Sequence, residues 1–264
     1  MLRPNRIREK LTAGEPTVGT HVLSIWPGLV ELIGNIGAYD YIEFLGEYGP
    51  YDLFSLDAFG RTIAIYDGLS AMMKVDQEPR TYLAERAIGA GFQSILFTDC
   101  RTVDDVRECV RAVRPETPED GGINGVAMRR VIGYVGGSSP DWVQYLRDIV
   151  VALMIEKEPA VRNLEDLLAV PGVDMVQFGP GDFSLSIGHV GEPDHPQVVA
   201  ARKHVIETAL AMDIAPRAEI LTADQAKPYL DMGVRHFCIG YDVSILDRQW
   251  RTNADEIRDV LDIA

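Results

Sequence analysis

Short runs of apolar and β-branched residues alternate with longer stretches whose apolar positions recur at helical spacing, along the whole chain. The runs predict strands over residues 18–23, 40–45, 71–75, 94–98, 125–132, 149–155, 174–178, 214–220 and 236–240. Helical patterns fall between them, over 79–90, 102–113, 161–170, 196–212 and 223–232. Boundary signals agree with this division. Thr102 precedes Asp104 and Asp105, Thr222 precedes Asp224, and Gly89, Gly91 and Gly233 follow apolar-periodic stretches. The run over 149–155 is apolar throughout, as expected of a parallel strand covered on both faces. Strand–helix–strand repetition on this scale predicts a (β/α)8 barrel. A doubly wound open sheet is the competing architecture, but no GxGxxG follows the first strand.

Composition narrows the partners. The chain has 264 residues, with 25 Lys and Arg against 40 Asp and Glu, for a formal charge of −15. That balance argues against nucleic acid or an anionic membrane, which need a basic face. An anionic substrate would therefore need local Lys and Arg to hold it. The three cysteines, Cys100, Cys109 and Cys238, form no CxxC pair and point to a reducing compartment. The polar start of the chain does not read as a signal peptide, and the greasy run at 149–155 falls far short of the roughly 18 residues of a membrane span. A cytoplasmic protein is expected. No linker or compositional shift divides the chain, so residues 1–264 read as one domain, with 115–122 a surface loop. The amphipathic segment 243–264 reads either as the last barrel helix or as a helix packed on a neighbouring subunit.

In a barrel of this kind the chemistry lies at the carboxyl ends of the strands. Glu156 directly follows one predicted strand, and Asp182 sits just past the next, in Gly179-Pro180-Gly181-Asp182-Phe183-Ser184. Two carboxylates converging on one mouth suit a hard divalent ion such as Mg²⁺ or Mn²⁺. The alternative makes Glu156 a surface acid and Asp182 a helix N-cap. The glycines around Asp182 favour function, because backbone N–H groups there can approach an anion closely.

The block Met154-Ile155-Glu156, followed by Asn163-Leu164, Gly172-Val173-Asp174, Gly179-Pro180-Gly181-Asp182-Phe183-Ser184, Gly188 and His195-Pro196, resembles the HpcH/HpaI family of metal-dependent class II pyruvate aldolases. Looser collinear matches run through Gly19, Glu31, Gly46-Glu47-Tyr48-Gly49-Pro50, Gly122-Ile123-Asn124-Gly125 and Gly240-Tyr241-Asp242. The resemblance implies a (β/α)8 barrel in a homo-oligomer, a hexamer or swapped dimer, with the C-terminal helix exchanged between subunits. It implies Mg²⁺, Mn²⁺ or Co²⁺ on Glu156 and Asp182, a 2-oxo acid chelating that ion, and its carboxylate received by the N–H groups of Gly181 and Asp182. The metal would act as a Lewis acid, stabilising an enolate as a carbon–carbon bond breaks or forms.

The chain departs from the family around that core. The family's Asp/His base dyad becomes Leu45 and Tyr48, its enolate-steadying arginine becomes Lys74, the glutamine before the metal glutamate becomes Met154, and a loop arginine becomes Asn124. Leucine cannot orient a base, tyrosine titrates near about 10, and lysine makes no bidentate fork. Polar groups appear elsewhere: Glu43, His21, Arg217 and Glu219. Lys74 and Arg217 are candidates to neutralise substrate charge, Tyr48 or Glu43 to move the proton, and His21 and Arg130 to contact substrate. A structural ion pair of Glu43 with Arg217, a satisfied core histidine at His21 and a solvated or intersubunit Arg130 are the competing readings. Three functions follow: a metal-dependent aldolase-type lyase acting on a 2-oxo acid or related carboxylate; the same site with drifted chemistry (decarboxylation, isomerisation or condensation); or a carboxylate-binding paralogue without catalysis.

Overall fold

Eight parallel strands close into a barrel in sequence order, β8 pairing back onto β1. They are β1 Thr17–Val22, β2 Tyr41–Leu45, β3 Ser70–Val75, β4 Ser94–Phe97, β5 Val150–Ile155, β6 Met175–Phe178, β7 Ala215–Ile220 and β8 His236–Tyr241. This computed structural model describes residues 3–135 and 140–263. The open doubly wound alternative is thereby excluded.

Alternation along β5 shows why the strands read as continuously apolar. Val151, Leu153 and Ile155 face the surrounding helices, whereas Val150, Ala152 and Met154 face the barrel interior, and all six are buried. The interior is graded. Tyr41, Met72, Leu96, Met175 and Cys238 pack together, with Ile7 joining them from the helix Arg6–Ala13. Tyr41 fits because Gly19 on β1 has no side chain: a Cβ there would stand 2.2 Å from the ring. A polar group of buried side chains, His21, Glu43, Lys74, Gln177 and Arg217, shares the interior with this apolar packing.

The helices Pro27–Ile36, Leu53–Ile63 and Pro140–Arg147 fill stretches for which no helix was predicted, and three further segments bear on the expectations. The helix Arg6–Ala13 has little apolar pattern, and Asn5 specifies it by capping the N–H groups of Ile7 and Arg8. The stretch 125–132 is not a strand. Its chain runs over the outer helices, where Arg129 donates to the carbonyl of Glu85, Arg130 to that of Ala90, and Trp142 to that of Gly125. Finally, the helix Asp242–Val260 does not bury its apolar stripe on its own barrel, for Leu246, Trp250 and Ile257 are exposed, and so is Val18 on the outer face of β1. No helix among the described residues is long and apolar enough to cross a membrane.

Candidate active site

Glu156 leaves the end of β5 and is only 4% exposed. Its Oε1 accepts the backbone N–H of Asp99 at 3.0 Å. Its neighbour just past the end of β6 is Gly179, where a Cβ would lie 2.9 Å from the Glu156 Cβ and 3.1 Å from Oε2. Glycine at 179 is thus what gives the carboxylate room. Asp182 lies in the first turn of the helix Pro180–Ser186, whose N-cap is Gly179, so Asp182 is not the cap. Its Oδ1 accepts from Lys157 Nζ at 2.7 Å.

Both acids line a cavity of about 390 Å³ at the carboxyl ends of the strands. Burial above all, helped by the charge of Asp182, raises the Glu156 pKa to about 7 against the opposing pull of Lys74 and the Asp99 N–H. A buried carboxylate raised this far, beside a second one, is a site short of positive charge. Oxygen donors with that deficit fit a hard divalent cation.

The same cavity is lined by Lys74, Tyr48, Glu43, Arg217, Gly181 and Glu219. Lys74 Nζ donates to Tyr48 Oη at 2.8 Å and stands 2.7 Å from Glu47 Oε2. Burial alone would discharge this lysine, but Glu47 and Tyr48 hold its pKa above the ordinary value, so it is a cation. Burial raises the Tyr48 pKa, and the lysine offsets this only in part. Tyr48 is therefore a neutral phenol at physiological pH.

Arg217 donates through Nη2 to Glu43 Oε2, and the same nitrogen is 3.1 Å from His21 Nε2. Burial would raise the Glu43 pKa, but Arg217 and then His21 bring it down to about 2. Glu43 is locked as an anion, which corrects its assignment as a proton carrier: the competing reading, a buried ion pair, is what the geometry contains. His21 is also buried and does not line the cavity, so it touches Glu43 and Glu219 rather than a substrate. Burial opposes its charge, yet Cys238 and Glu43 hold its pKa well above the usual imidazole value. Ligand atoms of His21, Glu43 and Cys238 lie within 4.8 Å of one another. The Arg217 guanidinium on Glu43 and His21 supplies the positive charge there, which leaves no call for a metal.

Arg130 is corrected as well. Its Nη2 is bound to the carbonyl of Ala90, in the helix that leads into β4, and so sits on the amino-terminal side of the barrel, away from the cavity. Gln177, Arg202 and Glu219 gain weight from the structure. Gln177 Nε2 donates to Glu219 Oε2 at 3.0 Å, and Arg202 lines the cavity from the helix Pro196–Ala211. Period-2 facing from Arg217 was the sequence signal for Glu219.

Residues 57–247 match the model of the family described as HpcH/HpaI aldolase/citrate lyase. A 4-hydroxy-2-oxo-heptane-1,7-dioate aldolase of Escherichia coli is 30% identical over 250 residues, covering 92% of this chain and 91% of the relative. A hydroxypyruvate/pyruvate aldolase of Pseudomonas aeruginosa is 31% identical, over 96% of this chain and 93% of its own. Among solved structures, an HpcH/HpaI aldolase/citrate lyase family protein from Burkholderia cenocepacia J2315 superposes with a TM-score of 0.88 at 28% identity, covering 96% of this chain and 99% of the other. With the barrel, the cavity and these relatives in agreement, the chain belongs to the HpcH/HpaI aldolase/citrate lyase family.

Proposed function

We propose that this protein is a divalent-metal-dependent carbon–carbon lyase that cleaves a 4-hydroxy-2-oxo acid, or a closely related carboxylate, into a 2-oxo acid and an aldehyde. The observation that carries this reading is the buried Glu156 carboxylate, raised to about 7 and set beside Asp182 in the cavity. Mg²⁺ or Mn²⁺, with Co²⁺ as a further fit, held by these two residues would supply the electrophilic pull on the keto group. The N–H groups of Gly181 and Asp182, which have no carbonyl partner in the first turn of their helix, receive the substrate carboxylate. Lys74, kept charged by Glu47 and Tyr48, offsets the negative charge that grows as the bond breaks. Arg217 adds charge from the cavity wall, although Glu43 already balances most of it.

A homo-oligomer in which a partner covers the helix Asp242–Val260 fits its exposed apolar stripe, and a reducing cytoplasm fits the unpaired cysteines. The test of the activity is metal-dependent exchange of solvent deuterium into the methyl group of pyruvate, together with aldehyde release from 4-hydroxy-2-oxo acids. Glu156→Ala and Asp182→Ala should each abolish both. Full activity of either variant in the presence of a chelator would sink the proposal.

A further inference from the structure

Cleavage of a 4-hydroxy-2-oxo acid needs a group that takes the proton of the C4 hydroxyl, and the candidates legible in the sequence do not provide one. Glu43 is locked on Arg217, and Tyr48 is a phenol hydrogen-bonded by Lys74. Among the described residues four carboxylates line the cavity: Glu43, Glu156, Asp182 and Glu219. With Glu43 paired and Glu156 and Asp182 committed to the cation, one remains.

We propose that Glu219 is the proton carrier of this site. The inference rests on the metal-dependent lyase reading above and goes beyond it by naming the base. Strand register places the residue. Ile155 pairs with Phe178, and Gln177 pairs with Arg217. One step further along β5 and β6 sets Glu156 opposite Gly179, and two steps further along β6 and β7 sets Gly179 opposite Glu219. Glu156 and Gly179, each one residue past the end of β5 and β6, and Glu219 within β7 thus stand at one level of the barrel when that register is continued, with the side-chain-free position in the middle. At the usual strand spacing the two carboxylate-bearing backbones are about 10 Å apart, enough for a small substrate held at Glu156 to present its far carbons to Glu219.

The surroundings of Glu219 suit a base. Its side chain is 45% exposed to the cavity mouth. Its partners are a neutral amide, Gln177 Nε2 at 3.0 Å from Oε2, and the buried His21 ring, kept charged by Cys238 and Glu43, whose Nδ1 stands 3.4 Å from Oε1. That Nδ1 is buried and otherwise without a hydrogen-bond partner among the described residues. One oxygen is therefore fixed and the other only loosely approached, unlike the oxygen of Glu43 that Arg217 occupies. In the step proposed, the Glu219 carboxylate removes the C4 hydroxyl proton. The C4–O bond becomes a carbonyl as C3–C4 breaks, and the bonding pair passes to the C2–C3 enolate. The aldehyde leaves, and the carboxylic acid returns the proton to C3, giving the 2-oxo acid and the starting carboxylate. Gln177 and His21 are positioning residues.

The test compares wild type, Glu219→Gln and Glu219→Asp with Mn²⁺ and 4-hydroxy-2-oxopentanoate, measuring cleavage, deuterium exchange into pyruvate and Mn²⁺ affinity. Glu219→Gln is expected to lose 10²–10⁴-fold in kcat for cleavage and to lose exchange. Its Mn²⁺ Kd should stay within about threefold and its circular dichroism should match wild type, with partial activity kept by Glu219→Asp. Cleavage by Glu219→Gln within threefold of wild type would overturn the assignment while leaving the lyase reading intact. A Glu219→Gln protein that has lost Mn²⁺ binding along with activity would overturn it too, marking Glu219 as support for the cation. Absence of metal-dependent cleavage and exchange in the wild type would overturn the lyase reading and this inference together.

Discussion

The backbone N–H of Asp99 points at Oε1 of Glu156 across 3.0 Å, and it does so from a residue with φ of 51°. Left-handed backbone is disfavoured for most side chains but tolerated by aspartate. Arg101 steadies the turn by clasping both Asp99 carboxylate oxygens, at 2.6 and 2.8 Å. The end of β4 therefore fixes one oxygen of an acid at the end of β5, and Gly179 just past the end of β6 leaves space beside the other. Three neighbouring strand ends cooperate to present one carboxylate oxygen to the cavity.

The raised pKa of Glu156 sets a pH dependence with a definite sign. Its folded value of about 7 lies above the ordinary 4.5, so the folded metal-free protein prefers the protonated form. The stability from this group is fully present below pH 4.5 and is lost as pH rises through 7, up to roughly 3 kcal/mol in all. A divalent cation must displace that proton, so Mn²⁺ affinity should fall by close to tenfold for each pH unit below 7. Calorimetric titrations at pH 5.5, 6.5 and 7.5 measure this. The metal-free stability difference between wild type and Glu156→Gln, followed across the same range, isolates the group from other carboxylates. An affinity independent of pH in this window would contradict the assignment.

The pair of Glu43 with Arg217 has almost no exposure, so its energetics are those of a buried ion pair. Removing one partner strands the other charge in the barrel, at a cost of about 3–5 kcal/mol. Glu43→Gln and Arg217→Met should each lower urea stability by that order, whereas the double variant Glu43→Leu with Arg217→Met should recover much of the loss. Acid sensitivity follows the opposite sign to Glu156. With a folded pKa of about 2, Glu43 contributes stability that is present above pH 4.5 and lost as pH falls through 2. Single variants as stable as wild type would show that the pair carries no such cost.

The barrel was legible because apolar runs alternate with helical patterns throughout, and in β5 Val150 and Val151 are both buried, as in a parallel strand covered on both faces. Glu156 and Asp182 were legible because they follow strand ends. Period 2 along a strand gives a side chain's facing but not its partner across the barrel. Hence Glu43 was seen pointing inward while its capture by Arg217, five strands away in order, was only one of two readings. Arg130 was misjudged for a related reason: β-branched neighbours made 125–132 resemble a strand, and only tertiary contacts show its arginines bound to carbonyls of the helix Arg80–Ala90. The helix Arg6–Ala13 went unread because little of it is apolar: Ile7 and Leu11 pack against the barrel interior, and the rest of its hold is polar, in the cap from Asn5 and the pairs of Arg8 with Asp174 and Lys10 with Asp40.

The C-terminal helix gives the last prediction. Trp250 is 64% exposed, Ile257 53% and Val260 79%, all on the helix Asp242–Val260. Apolar groups lined along a helix with nothing of their own barrel beneath them gain about 25 cal/mol for each Å² that a second copy removes from water. The uncovered Val18 on β1, opposite Phe237 of β8, adds further exposed apolar surface. Sedimentation equilibrium at micromolar concentration should therefore give a mass that is a multiple of 29.2 kDa. Trp250→Glu should shift it toward the monomer and make Tm less dependent on protein concentration, with unchanged far-ultraviolet circular dichroism. A wild-type chain sedimenting as a monomer would show that the stripe is tolerated in water, and the proposed covering of the helix by a second copy would fall.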